Sequence, residues 1–115
     1  MFAEDVPTAS VRDLPGDDLA LVDVREDDEW RAGHAPEALH IPLRDVPARM
    51  AELAEFPDDR PIYVVCRTGG RSEQATAFLN ANGFDAVNVA GGMKSWETEG
   101  RQVVSEYASA RPEVL

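Results

Sequence analysis

Apolar residues in this chain gather in short runs separated by longer mixed segments, which is typical of strands interleaved with helices. The run at 62–65 is continuous and rich in β-branched residues, as in a strand buried on both faces of a parallel sheet. The run at 20–24, which contains one charged residue, Asp23, predicts another buried strand. Weaker runs at 8–14 and 86–89 predict two further strands. The interleaved pattern predicts an α/β fold.

Helices are predicted in the segments between these runs. The acidic stretch 26–29 suits the positive end of a helix dipole, and Gly33 ends that helix. Apolar residues at helical spacing predict longer helices over 46–56 and 72–82. Two glycines at 91 and 92 open a last helix.

The length of 115 residues and an apolar content of 43% predict one globular domain over 1–115. Its core covers about 8–100, and the sequence leaves open whether the tail, 101–115, docks on the domain or stays loose. No stretch approaches the roughly 20 apolar residues of a membrane span. Residues 1–5 lack a basic and then apolar export signal, so we expect a cytoplasmic protein that does not enter membranes.

Charge and cysteine content narrow the classes of function. Eleven basic against 22 acidic residues give a net charge of −11, which argues against binding to nucleic acid or to anionic membranes. The single cysteine cannot form an internal disulfide. Any thiol that resolves an intermediate on this cysteine must therefore come from another molecule.

The candidate chemistry lies at that cysteine, Cys66, which follows the strand 62–65 and precedes the helix 72–82. Loop N–H groups, the start of a helix and two guanidinium groups, Arg67 and Arg71, all favour a thiolate there. A buried structural cysteine is the alternative. We prefer the reactive thiol, because a cysteine that only packs in a core needs neither the glycines nor the arginines that follow it.

The loop Cys66-Arg67-Thr68-Gly69-Gly70-Arg71-Ser72 resembles the active-site loop of the rhodanese family of sulfurtransferases. The resemblance covers roughly residues 8–100. It includes four further motifs in order: Leu21-Val22-Asp23-Val24-Arg25-Glu26, Gly33-His34-Ala35-Pro36, His40-Ile41-Pro42-Leu43 and Gly91-Gly92-Met93-Lys94-Ser95-Trp96.

This resemblance implies a three-layer fold with about five mostly parallel strands and helices on both faces. It implies that Cys66 takes sulfane sulfur from thiosulfate or a related donor as a persulfide, and passes it to cyanide or to a small or protein thiol. We expect the N–H groups from Arg67 through Thr68, Gly69, Gly70 and Arg71 to Ser72 to cradle the sulfur, and the two arginines to hold the donor's oxygens. Neither a metal nor an organic cofactor is required.

Residues outside the loop are expected to support it. The resemblance implies that Asp23 and Arg25 tie strand ends to neighbouring loops. We expect His34 to be a structural hydrogen-bonding group, because an ionised thiol needs no general base. Ala35 and Glu37 stand where the family commonly has isoleucine and glycine, and Glu37 adopts positive φ at a greater cost than glycine.

Two other functions stay open. A rhodanese-like domain can be a non-catalytic binding or sulfur-carrier module, because a fold does not determine a function. A cysteine phosphatase also uses a cysteine and an arginine around an anion-binding loop. Such loops resemble Cys-x5-Arg, whereas Cys66 to Arg71 is Cys-x4-Arg, and the smaller loop suits sulfur better than phosphate.

Overall fold

A five-stranded sheet organises the computed structural model, which describes residues 6–107 and 110–115. The strands are β1 (Thr8–Ser10), β2 (Leu21–Asp23), β3 (Leu39–His40), β4 (Ile62–Val65) and β5 (Ala86–Ala90). Their order in the sheet is β1-β5-β4-β2-β3, and every neighbouring pair is parallel. The predicted α/β fold with about five mostly parallel strands is confirmed.

Within the described residues, four α-helices accompany the sheet: α1 (Asp27–Ala32), α2 (Val46–Leu53), α3 (Gly70–Ala81) and α4 (Gly92–Thr98). Each was predicted, but α2 ends three residues early and α3 begins two residues early, inside the predicted loop. The predicted strand 8–14 is wrong beyond residue 10. There a single turn of 3-10 helix, closed by a hydrogen bond from the Leu14 N–H to the Val11 carbonyl, turns the chain out of the sheet.

Both faces of the sheet are buried, which explains the continuous apolar runs of the sequence. On one face Val22 and Val64 pack in a cluster that contains residues of α2 and α3. On the other face Leu21 and Val65 pack in a second cluster, which contains Trp96 of α4. The three-layer arrangement is therefore confirmed.

The tail docks on the domain. Val104 and His34 exchange backbone hydrogen bonds of 2.9 and 2.8 Å in an antiparallel bridge. Farther along, the Glu113 N–H donates to the Ala32 carbonyl at 2.9 Å. Val114 is only 4% exposed and belongs to the second core cluster. The described part of the tail thus docks on the domain, and Val114 joins its core.

Two sequence expectations concern location. Among the described residues, no helix is both long and apolar enough to cross a bilayer. Residues 1–5, on which the expectation about export rests, lie outside the described part of the chain, as do tail residues 108 and 109.

Candidate active site

Cys66 lies directly after the central strand β4, at the carboxyl edge of the sheet, and α3 begins four residues later. The residue is 1% exposed. Its Sγ accepts a hydrogen bond of 3.0 Å from the Gly69 N–H and lies 3.3 Å from the Ser72 hydroxyl oxygen. Gly69 has φ +125°, which a residue with a Cβ rarely adopts, and this turn brings its N–H back toward the sulfur. The loop therefore aims hydrogen-bond donors at one buried sulfur.

These donors determine the ionisation of the thiol. Burial raises the pKa of Cys66, while hydrogen bonds from the Ser72 hydroxyl and from the N–H groups of Ser72, Gly69 and Thr68 lower it. The net pKa lies below the ordinary value. Hydrogen bonding to the charged form thus outweighs desolvation, so the site stabilises a thiolate without a general base.

The two loop arginines contact other residues at the rim of the site. Nη1 and Nη2 of Arg71 donate to the two carboxylate oxygens of Glu29 on α1, at 2.7 and 2.9 Å. Nε of Arg67 donates to the Leu115 carbonyl at 2.7 Å. Nearby, Nζ of Lys94 donates to the Val114 carbonyl at 2.8 Å, so the end of the tail lies against the loop.

Glu29 was not identified from the sequence as part of this site. Its side chain closes a capping box by accepting the Glu26 N–H at 2.9 Å, and it also binds Arg71. The hydrogen bond from Arg71, opposed by burial, lowers the pKa of Glu29 from 4.5 to about 2. The acidic stretch 26–29 suggested only a helix start, because its partner lies 42 residues away in the chain.

The first turn of α4 holds the backbone of the loop. The Met93 N–H donates to the Cys66 carbonyl at 2.8 Å, and the Lys94 N–H donates to the Arg67 carbonyl at 3.1 Å. Gly92 makes this approach possible: it has φ +59°, and a Cβ there would lie 2.5 Å from both carbonyl oxygens. With these carbonyls bound to α4, the loop N–H groups face the sulfur.

Asn88 is the second site residue that sequence reasoning missed. It lies on β5, is 4% exposed, and its Oδ1 is 2.6 Å from the Ser72 hydroxyl oxygen. The segment 86–89 was interpreted as an apolar strand, and one polar residue within it was the only available signal. Of the remaining loop residues, Thr68 is exposed and Gly70 is the exposed first residue of α3.

Asp23 and Arg25 form a buried ion pair beside the site. Both side chains are fully buried, and the guanidinium of Arg25 binds the carboxylate through Nε and through Nη2, the latter at 2.8 Å. Nη2 also donates to the Gly33 carbonyl at 2.7 Å, so the pair ties the end of β2 to the loop after α1.

His34 follows that loop and takes part in structural contacts, as expected. Its ring stacks on Trp30 with 3.5 Å between centroids, and Nδ1 donates to the Ala35 carbonyl at 2.8 Å. The turn after it is closed by a hydrogen bond of 3.2 Å from the Ala38 N–H to the Ala35 carbonyl. Glu37 is not among the described residues with positive φ, so this turn forms without the glycine common in the family.

The described residues contain no group of three or more His, Cys, Asp or Glu side chains placed to hold a metal ion. What the site offers is one buried thiol whose pKa is lowered by hydrogen bonds, below a rim that carries two guanidinium groups. This arrangement suits nucleophilic attack on a small anionic substrate.

Known proteins resemble this chain over most of its length. The family described as "Rhodanese-like domain" matches residues 8–99. A protein of Allochromatium vinosum named "Sulfurtransferase" is 37% identical over 88% of this chain and 92% of its own length. The crystal structure of a rhodanese-like domain protein from Staphylococcus aureus has a TM-score of 0.70 and 36% identity, covering 86% of this chain and 99% of that one.

A second crystal structure, of SSP1007 from Staphylococcus saprophyticus, has a TM-score of 0.72 and 35% identity, covering 84% of this chain and 98% of that one. The strand order, the cysteine loop at the end of β4 and these similarities agree with the resemblance found in the sequence motifs. The chain belongs to the rhodanese-like domain family.

Proposed function

We propose that this protein is a sulfurtransferase that moves sulfane sulfur through a persulfide on Cys66. The observation that carries the proposal is the sulfur itself, which is buried, receives a hydrogen bond from the Gly69 N–H at 3.0 Å and lies 3.3 Å from the Ser72 hydroxyl, a second possible donor. These donors stabilise a negative charge on the thiolate. They would do the same for a persulfide anion, which is why this loop suits sulfur transfer.

The reaction has two displacement steps. The Cys66 thiolate attacks the outer sulfur of thiosulfate, the S–S bond of the donor breaks, and sulfite leaves with the bonding electron pair. The product is a cysteine persulfide anion. In the second step, cyanide or a thiol attacks the terminal sulfur, and Cys66 leaves again as a thiolate. Each step conserves charge and electrons without a metal or an organic cofactor.

The rim supplies positive charge for an anionic donor. The guanidinium of Arg71 has five N–H donors, of which two bind Glu29, so three remain for other acceptors. Arg67 adds a second charge at the same rim. Although the net charge is −11, salt screens distant carboxylates over about 8 Å at physiological ionic strength. An anion at the loop therefore interacts mainly with Arg67, Arg71 and the Glu29 carboxylate paired with Arg71. A protein thiol in the cytoplasm would be a suitable second acceptor.

Intact mass spectrometry tests the proposal directly. The reduced protein is weighed before and after incubation with thiosulfate, beside Cys66→Ser, in which the nucleophile is replaced by an isosteric hydroxyl. We expect the wild type alone to gain one sulfur atom and to lose it to cyanide with formation of thiocyanate.

Other outcomes would favour the other functions. A persulfide that no small acceptor removes would indicate a sulfur carrier rather than an enzyme. Turnover of an aryl phosphate, lost in Cys66→Ser, would indicate a phosphatase. A wild type that gains no sulfur from thiosulfate or any other sulfane donor would refute the proposal.

A further inference from the structure

The Ser72 hydroxyl, which is completely buried, lies among three groups that can accept its proton. These are Cys66 Sγ at 3.3 Å, the Gly69 carbonyl at 3.1 Å and Asn88 Oδ1 at 2.6 Å. A hydroxyl carries one proton and can donate it to only one strong partner at a time. The three acceptors therefore compete, and the outcome decides whether Ser72 stabilises the sulfur.

Two of these groups can also act as donors: the neutral Cys66 thiol, which is a weak one, and the Asn88 amide. The Gly69 carbonyl always accepts, and it already receives the Glu73 N–H of α3 at 3.0 Å. An amide presents oxygen on one side and NH2 on the other, so a half-turn exchanges Oδ1 for Nδ2. Nδ2–H then donates to the Ser72 oxygen, and the hydroxyl proton becomes available to Cys66.

A negative charge on the sulfur favours this reversed arrangement. Hydrogen bonds to an ionised acceptor are roughly twice as strong as those between neutral groups, and donors linked in a chain strengthen one another. With a neutral thiol, the Ser72 hydroxyl forms its stronger hydrogen bond with Asn88 Oδ1, which lies 2.6 Å from the hydroxyl oxygen.

We propose that Asn88 is a positioning residue of this site: its amide accepts from Ser72 when Cys66 is neutral, and donates to Ser72 when Cys66 is charged. The inference rests on the proposed function only in that the same thiolate is the nucleophile. Because the reversal accompanies ionisation of the thiol alone, it can be tested without any sulfur donor.

The other charged groups around the loop do not depend on the amide. They include the Asp23–Arg25 pair at the end of β2, Glu26 and Glu29 at the start of α1, Arg67 and Arg71 of the loop and α3, and Lys94 of α4. Variants at 72 and 88 leave all of them in place, so a difference between such variants isolates the hydrogen bonds.

The test follows the Asn88 side-chain NH2 signals by nuclear magnetic resonance between about pH 5 and 10, a range that spans ordinary thiol ionisation. In the wild type, we expect the chemical shifts of these signals to change with pH. The midpoint of this change should equal the midpoint of the pH dependence of the rate at which iodoacetamide alkylates Cys66. In Cys66→Ser the shift should be absent, because residue 66 no longer ionises. In Ser72→Ala the thiol still ionises, so loss of the shift there would support the hydroxyl as the link.

A shift that persists in Ser72→Ala would reflect the sulfur's charge acting through space, and would overturn the proposal, as would an invariant signal in the wild type.

A double-mutant cycle of alkylation rates provides a second measure. At pH values below the midpoint of thiol ionisation, Asn88→Ala should lower the rate of Cys66 alkylation several-fold in the wild-type background. The same substitution should leave the rate unchanged in the Ser72→Ala background. Equal slowing in both backgrounds would contradict a role exerted through Ser72. If Asn88→Ala does not fold, the resonance test still decides, because it needs no change at 88.

Discussion

Gly92→Ala should disrupt the Cys66 loop from outside it. The added Cβ would lie 2.5 Å from the carbonyl oxygens of Cys66 and Arg67, where real Cβ atoms essentially never come closer than 3.0 Å. Either the loop or the start of α4 must therefore move by about half an ångström or more in a close-packed region. That movement strains the hydrogen bonds that Met93 and Lys94 donate to the same two carbonyls.

The expected decrease in the free energy of unfolding of Gly92→Ala has two parts. Alanine at φ +59° costs about 1–2 kcal/mol in backbone conformation. Overpacking against the loop costs about 1–3 kcal/mol. The free energy of unfolding should therefore fall by about 2–5 kcal/mol in total, and Cys66 alkylation should slow because the loop N–H groups no longer converge on the sulfur.

Gly100→Ala is the matched control, at the other end of the same helix. Gly100 also has positive φ, +82°, but a Cβ there would meet nothing within 4 Å. The Gly100→Ala variant should therefore lose only the conformational part of the free energy of unfolding, about 1–2 kcal/mol. Its Cys66 should be alkylated at the wild-type rate. Urea unfolding and alkylation rates of both variants check this. If Gly92→Ala were no less stable than Gly100→Ala and alkylated at the wild-type rate, the supporting role of α4 would be refuted.

Three further predictions concern other supports of the site. Because its pKa is lowered from 4.5 to about 2, Glu29 contributes stability that is present above pH 4.5 and lost as the pH falls through 2. Glu29→Gln cannot form the charged pair with Arg71, so its free energy of unfolding should fall less than that of the wild type over this pH interval. Urea unfolding at a series of pH values measures the difference. Asp23→Asn leaves the buried Arg25 charge uncompensated, so the free energy of unfolding measured in urea should fall by about 3–5 kcal/mol. A smaller decrease would contradict a buried charged pair at this position. Val114→Ala removes two buried carbons, costs about 1.6 kcal/mol, and should speed hydrogen exchange of the tail; unchanged exchange would count against docking.

The sheet and the cysteine loop could be predicted because their signals are local. Strands buried on both faces leave continuous apolar runs, as at 62–65, and the break after Cys66 is marked by glycines that permit a tight loop. The errors arose at element ends. The strand predicted over 8–14 stops at residue 10, because the next turn is set by a hydrogen bond that apolar periodicity does not encode.

The sequence alone determined the α/β class and placed the lone cysteine in a glycine-containing loop after a buried strand, because strand burial, a glycine turn and a lone thiol are properties of adjacent residues. Only the tertiary structure decided what holds that loop. Glu29 reaches Arg71, Asn88 reaches Ser72, and α4 binds the loop carbonyls, each across a long separation in the chain. A hydrogen bond depends on distance and direction in space, and these are set only once the sheet brings its strand ends to one edge.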